Sequence, residues 1–476
     1  MTDLYIILLS YIYIGSILLM STIISRKVKS VEISRKFVHI FVGNWVFFYP
    51  MFHTILGVLC VPLSFVFINL LSIRYKIFPS MEREKKELGT VYYAVSLTIL
   101  VFISFIFNNP FLLYTGVLIM AYADGLAAII GQYTLSKKPF KSAPEKSVNG
   151  SLTVFIVSLL VINALYFYFY GTSVIFIIFS ILFSIIVTGI ELTGNRGSDN
   201  LSIPIGVAIL AALSSSKISD LSFLYISIFL FIILALVLNH ALDLKGCIVA
   251  YFIGITLYTL GNGVLLGSLL SFFALGSLAS KLSNKRKKQA EEGQEDTGIR
   301  TWIQVVSNSL PALLLVLMFT FSDQNPIFLF AAFAVFSGAL SDTLSSELGM
   351  LSTGKTRSII TFKPVKSGVS GGITLLGLLF GFVGSFIGAL FSSLIFGMVS
   401  IIPITVLGFF GTIIDSLLGA LFQRKYKDDN GNYQDKQFYI NQKIDKGLYF
   451  VDNHIVNLIS LFCVSILSLI YWTSVK

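Results

Sequence analysis

The sequence predicts an all-α, polytopic integral membrane protein with about 16 transmembrane helices in two related halves. Three observations predict it: the composition, the recurrence of long apolar stretches, and the alternation of charged with uncharged connections. Of 476 residues, 55% are hydrophobic and 12% charged, whereas soluble domains carry about 25% charged residues. The bilayer is the expected solvent. Apolar stretches long enough to cross a hydrocarbon core of about 30 Å recur along the whole chain, which leaves no room for a large soluble domain.

The first stretch, Leu4 to Met20, has neither a basic leader nor a small-residue cleavage site before Arg26 and Lys27, so it reads as a retained span. Cys60, Cys247 and Cys463 stand singly in apolar segments, which gives no disulfide framework and no metal motif. The net charge of +10 and the run Lys285-Arg286-Lys287-Lys288 could suggest nucleic acid. Membrane topology explains them better, because Lys and Arg accumulate in cytoplasmic loops and here fall in alternate connections. No nucleic-acid partner is expected.

Charged connections lie near residues 25–36, 74–88, 133–147, 191–200, 241–245, 281–302, 353–367 and 422–450. The turns between them, near His53, Asn108 to Pro110, Gly171, Gly261 to Gly263 and Asp323, are nearly uncharged, and only Lys217 and Asp220 decorate another such turn. The parity holds with the N-terminus outside, the charged loops cytoplasmic, and the short segment Leu201 to Leu213 also crossing. That segment is the weak link, since about 13 residues reach only about 20 Å. Charge thins between residues 214 and 245 and motif types restart afterwards, so the halves are 1–241 and 242–476. Arg424 to Gly447, with an Asn430-Gly431 turn, is expected to form a small hairpin.

In the first half, Asp124 stands in Ala123-Asp124-Gly125-Leu126-Ala127-Ala128-Ile129-Ile130-Gly131, near a helix end flanked by small residues. Lys138-Pro139-Phe140 and Glu145-Lys146-Ser147-Val148-Asn149-Gly150-Ser151 follow, then Glu191, Asp199-Asn200 and Pro204. Lysines and glycines leading into a helix offer cations and exposed backbone N–H groups to phosphate oxygens. Carboxylates for Mg²⁺, cations for nucleotide phosphates and a carboxylate near an acceptor hydroxyl form the inventory of phosphoryl transfer. Asp124, Lys146, Glu191 and Asp199 are the catalytic candidates, with Asp124 and Asp199 as metal ligands. Arg35, Lys36, Ser147, Gly150, Ser151 and Asn200 are the nucleotide- and phosphate-binding candidates. His39 is expected only to orient the site.

These residues, together with Arg35-Lys36-Phe37-Val38-His39, resemble the polyprenol kinase family, which includes phytol and dolichol kinases, over about the first 215 residues. Ala123 stands where that family usually has Gly. The resemblance implies a prenyl alcohol as acceptor and CTP, UTP or ATP as donor, with CTP favoured.

The second half has Ser341-Asp342-Thr343-Leu344-Ser345-Ser346-Glu347-Leu348-Gly349, then Lys355, Arg357, Lys363 and Lys366, and a glycine-rich helix start from Ser367 to Gly372. Asp415, Asp452-Asn453 and Asn457 follow. Arg300, Gln304 and Asn308, four apart, share one helix face, where polar groups need partners. Catalytic candidates are Asp342, Lys366 and Asp415; metal candidates are Asp342, Glu347, Asp415 and Asp452. Arg300, Gln304, Asn308, Lys355, Arg357, Lys363, Gly368, Gly371, Asn453 and Asn457 are candidates for binding nucleotide or phosphate. From about Leu242 to Leu461 the chain resembles the phytyl-phosphate kinase family, with Ser341 for the commoner Ala and Leu344 for an aromatic residue. That resemblance implies a prenyl monophosphate as acceptor. An acceptor already bearing charge is expected to need the extra cations of 355–366.

The halves also resemble each other: Lys146 stands 22 positions after Asp124 and Lys366 24 after Asp342, while Asp199 and Asp415 follow their first aspartates at 75 and 73. An internal duplication with parallel repeats is the expected origin. Gly349 to Thr356 satisfies the P-loop pattern letter by letter, but a membrane helix precedes it and Ile359 to Phe362 reads as extended, so no P-loop is expected. The combined expectation is a bifunctional isoprenoid-salvage kinase, with Mg²⁺ and active sites facing the cytoplasm, that makes prenyl monophosphate and then diphosphate. Two alternatives stand beside it: a single kinase with one degenerate half, and a transporter, whose binding residues should lie nearer the bilayer midplane.

Overall fold

A computed structural model describes residues 3–28, 31–75, 88–134, 146–194, 197–217, 221–294, 298–428, 431–439 and 442–475. Lys138 to Phe140, Glu145, Asp220 and Asn430 lie outside the described residues. The chain forms two compact units, Met1–Ile228 and Phe229–Lys476. The division falls within a helix, N-terminal to the boundary expected at Leu242.

The first unit contains α1 (Asp3–Val28), α2 (Val31–Gly43) continued by a 3-10 segment Asn44–Met51, α3 (Ile55–Tyr75) and α4 (Gly89–Ile106). Next comes α5 (Pro110–Ile119), joined through one π-turn, Met120–Asp124, to α6 (Gly125–Tyr133), then α7 (Val148–Tyr170), α8 (Val174–Thr193) and α9 (Asp199–Lys217). The helix α10 (Leu221–Val237) carries the division.

The second unit contains α11 (Leu244–Thr256), α12 (Gly263–Lys281), the short α13 (Lys285–Glu291), α14 (Trp302–Phe321) and α15 (Pro326–Gly349). Then come α16 (Leu375–Phe396), α17 (Ile401–Leu421) and α18 (Asn453–Val475). Four two-residue strands form two antiparallel ladders: β1 (Arg357–Ser358) pairs with β2 (Gly372–Ile373), and β3 (Tyr426–Lys427) with β4 (Tyr433–Gln434). The second ladder is the hairpin expected within Arg424 to Gly447. Ile359 to Thr361 form a turn instead of the expected extended run, with Phe362 N donating to Ser358 O at 2.9 Å. The segment matching the P-loop pattern follows a helix and leads into two strand residues, the reverse of the strand–loop–helix order that a P-loop needs.

Among the described residues, thirteen helices are long and apolar enough to cross a membrane. The difference from about 16 lies in α2, at 13 residues, and in the shorter apolar stretches of α9 and α10. The doubtful segment Leu201 to Leu213 is part of a longer helix, α9, of 19 residues. At 1.5 Å per residue this gives about 28 Å, much nearer the bilayer thickness.

The same helix pairs pack in each unit. Around α5, contacts join α4 to α5, α5 to α9, α4 to α9, α7 to α6 and α8, and α8 to α9. Around α15, contacts join α14 to α15, α15 to α18, α14 to α18, α16 to α15 and α17, and α17 to α18. The helices α5 and α15 each begin with Pro after Asn, where the missing N–H costs nothing. Both are mostly buried and sit at the centre of their unit.

Without a hydrophobic drive between helices in lipid, close packing and interhelical hydrogen bonds must hold them. On α15, Ser337 Oγ donates to Ser385 O at 2.6 Å and Ser341 Oγ to Gly381 O at 2.7 Å. Gly388 makes this approach possible: a Cβ there would stand 2.7 Å from Ser337 Cα. Gly388→Ala should therefore cost about 1–3 kcal/mol and lower the melting temperature in detergent. Gly15→Ala, where an added Cβ meets nothing within 4 Å, should leave it unchanged or raise it. Equal shifts in the two variants would contradict this packing.

Candidate functional site

In the first unit the charged residues converge on one cavity of about 930 Å³. The helix α2 brings Arg35, Lys36 and His39, which share its inner side because residues three and four apart on a helix are neighbours. Asp124 closes the π-turn, a local widening frequent at functional sites. Lys36 Nζ lies 2.5 Å from Asp124 Oδ2, with both side chains buried. His39 Nε2 sits 3.4 Å from the same oxygen and 3.3 Å from Met120 O, and Tyr93 Oη donates to His39 O at 3.2 Å.

A second cluster faces the same cavity. Lys146, just before α7, donates to Glu191 near the end of α8 and lies 3.3 Å from Asp199 at the start of α9. Burial pulls the Lys146 ammonium down, but the carboxylates of Asp199, Glu191 and Asp124 outweigh it and hold its pKa above the ordinary lysine value. The ammonium is therefore charged at neutral pH, and its contribution is lost as pH rises through that elevated value and, on the acid side, as its carboxylate partners protonate. Ser147 caps α7, accepting from Gly150 N at 3.2 Å, and Asn200 Nδ2 donates to Gly89 O at 2.9 Å. All ten candidates named in this half of the sequence line the cavity.

Five buried atoms on that wall have no hydrogen-bond partner among the described residues: Trp45 Nε1, and, among the charged and polar candidates, Arg35 Nε, Ser151 Oγ, Glu191 Oε2 and Asn200 Oδ1. Buried polar atoms are normally satisfied, so a cluster of them marks a place prepared for a polar ligand. Among the described residues no three His, Cys, Asp or Glu side chains form a self-contained metal cage. The hard oxygens of Glu191 and Asn200 nevertheless suit Mg²⁺, which takes one or two carboxylates and completes its shell with water and phosphate.

The second unit has a smaller cavity of about 280 Å³. Asp342 from the C-terminal third of α15 and Asp415 from α17 face it, and neither has an ion-pair partner among the described residues. Ser460 Oγ donates to Asp415 Oδ2 at 3.3 Å. With its amide oriented to satisfy both neighbours, Asn457 donates to Asn453 O at 3.0 Å and to Asp415 Oδ2 at 3.1 Å. Arg300, Gln304, Asn308, Gly368, Gly371, Asn453 and Asn457 also line this wall. Gly371 has φ +82°, and a Cβ there would meet Ala420 Cβ at 2.4 Å, so this turn admits only glycine.

Other sequence candidates lie elsewhere. Lys355, Arg357, Lys363, Lys366 and Asp452 do not line the cavity. Lys366 Nζ is 3.2 Å from Asp428, Arg357 Nη1 donates to Phe362 O at 3.0 Å, and Asp452 Oδ1 accepts from Ile455 N at 3.0 Å. Glu347 reaches the wall, but its oxygens bond Lys287 Nζ at 2.6 Å and Ser280 Oγ at 2.8 Å. Arg300 is the cation on this wall among the described residues; the extra positive charge expected of residues 355–366 is not on it.

Lys287 escaped the sequence reading. It is fully buried, bonding Ala279 O at 3.0 Å and Ser280 O at 3.2 Å besides Glu347. Its only signal is the i, i+3 pairing with Ala290, which is the side that α13 buries.

The family described as "Integral membrane protein DUF92" matches residues 226–465. The chain belongs to that family. The DUF92 match covers nearly all of the second unit. The chain is 38% identical over 206 residues to an uncharacterized membrane protein of Methanocaldococcus jannaschii, covering 42% of this chain and 84% of that one. It is 31% identical over 207 residues to phytol kinase of Synechocystis, covering 42% and 87%. To protein PGR of Arabidopsis thaliana it is 32% identical over 265 residues, covering 48% and 88%. No solved structure matches the chain.

Removing Lys146 strands the buried carboxylate of Glu191 and the part-buried one of Asp199. Lys146→Met should cost about 3 kcal/mol of stability, and adding Glu191→Gln should restore much of it. Thermal unfolding of the two variants in detergent checks this, and no recovery in the double variant would contradict the pairing.

Proposed function

We propose that this chain is a membrane kinase of prenyl substrates, converting a prenyl alcohol to its monophosphate in the first unit and the monophosphate to the diphosphate in the second. A nucleoside triphosphate is the donor, CTP by the family resemblance, with Mg²⁺. The observation that carries the reading is the mixed lining of the larger cavity. Its wall carries Arg35, Lys36, Asp124, Lys146, Glu191 and Asp199 as well as Ile14, Leu18, Val38, Trp45, Val61 and Leu97. An alcohol with a long apolar tail and a hydroxyl head needs both. The similarity to Synechocystis phytol kinase supports the same substrate class.

In this reading the hydroxyl oxygen attacks the γ-phosphorus, the bond from that phosphorus to the bridging oxygen breaks, and the nucleoside diphosphate leaves. Asp124, oriented by Lys36 and His39, receives the hydroxyl proton. Arg35, Lys36 and Lys146 face the phosphate oxygens, whose charge spreads in the transition state. Glu191, Asp199 and Asn200 would hold Mg²⁺, which supplies charge neutralisation between the phosphates. The second unit uses a different balance: Asp342 and Asp415 as carboxylates for Mg²⁺, with Arg300 as the cation on the wall. Both sites are read as cytoplasmic, where nucleotide is available and lipid-dissolved prenol can reach the rim.

Asp124→Asn should abolish monophosphate formation while supplied monophosphate is still converted to diphosphate. Asp342→Asn should do the reverse, so that monophosphate accumulates from free prenol. Purified protein, several prenols and each nucleoside triphosphate, with products separated by charge, give the answer. Loss of both steps in either folded variant would mean one shared site.

A further inference from the structure

We propose that Trp45 is the floor of the first unit's cavity and sets the length of prenyl chain that the site accepts. This rests on the prenol-kinase reading and extends it to specificity. The α2 helix runs along the cavity from head to tail: Arg35, Lys36 and His39 line its polar end, Val42 follows, and Trp45 comes last on the 3-10 continuation. Trp45 is fully buried.

The other helices stop contributing at the same depth. Asp3 accepts from the backbone of His53 at 3.0 Å and of Thr54 at 2.9 Å, so the starts of α1 and α3 are level with the turn below Trp45. Ile14 on α1, Val61 on α3 and Trp45 all stand about 10–16 Å above that level by helical rise. Among the described residues of these three segments, none nearer to the turn lines the cavity. Ile14, Val61 and Trp45 are each at most 4% exposed, and the ring of Phe52 packs beneath Trp45 with centroids 6.1 Å apart. The apolar lane therefore has a solid end.

Its length follows from the backbone. From Lys36 to Trp45, α2 and its 3-10 continuation rise about 14 Å. An extended chain advances roughly 1.2 Å per bond, so this holds roughly 12 bonds, or about three isoprene units of four bonds each. Val42 lies about 9 Å from Lys36, the reach of about two units. The indole Nε1 of Trp45 has no hydrogen-bond partner among the described residues, so removing the ring breaks no hydrogen bond.

The test is a series of geraniol, farnesol and geranylgeraniol with CTP and Mg²⁺, comparing wild type with Trp45→Ala and Val42→Phe. Trp45→Ala should raise the kcat/KM ratio of geranylgeraniol to farnesol about tenfold, the scale that a hydrophobic pocket exerts. Val42→Phe should lower the ratio of farnesol to geraniol by a similar factor, and it decides the matter if the first variant does not fold. Unchanged ratios in folded variants would overturn the role of Trp45 while leaving the kinase reading intact. Failure of the wild type to phosphorylate any of the three would overturn the functional reading itself.

Discussion

Charge held inside an apolar helix bundle is the constraint on which the first unit depends. An ionised side chain in that setting persists only when paired, because leaving water is costly and the low dielectric magnifies an uncompensated charge. Lys36 with Asp124 and Lys146 with Glu191 and Asp199 meet this requirement on the wall of one cavity. The pairs also fix geometry. Lys36 ties α2 to the π-turn between α5 and α6, and Lys146 ties the start of α7 to the end of α8 and the start of α9. Five segments are thereby held around a space with unpartnered Glu191, Asn200, Arg35 and Ser151 atoms on its wall.

The second unit solves the same problem differently. Its central helix α15 is fixed by serine hydroxyls and close glycine contacts with α16, and the fully buried Lys287 pairs with Glu347 beside the cavity. Asp342 and Asp415 are left facing the cavity with Asn457 and Ser460 as polar neighbours of Asp415. Neither carboxylate has an ion-pair partner among the described residues, although Arg300 stands on the same wall. The two units thus share the packing of their central helices but pair their buried charges differently.

Much of this was legible in the sequence because charged residues are conspicuous in an apolar chain. Asp124, Lys146, Glu191 and Asp199 could be picked out before any fold was known, and all meet at one cavity. Spacing misled the comparison of the halves. It matched Asp199 with Asp415, whereas helix order matches Glu191 on α8 with Asp415 on α17, and Asp199-Asn200 opening α9 with Asp452-Asn453 opening α18. The cause is loop length: α8 and α9 join by a short connection, while the β3–β4 hairpin lies between α17 and α18. Charge density in a loop likewise does not reveal direction. Lys355, Arg357, Lys363 and Lys366 crowd one connection yet stay off the cavity wall, while Lys287, inside an unremarkable basic run, turns fully inward. Trp45 gave no signal, being one aromatic among many in apolar segments.

The most direct test of the account is the count of phosphoryl groups transferred to each prenyl chain. Purified wild-type protein would receive a prenol and a nucleoside triphosphate labelled in its γ-phosphate, with products followed over time. The account predicts a singly labelled monophosphate first and then a diphosphate carrying two labels per chain. A singly labelled monophosphate as the final product would contradict a second active unit, and label-free prenol throughout would contradict the kinase account as a whole.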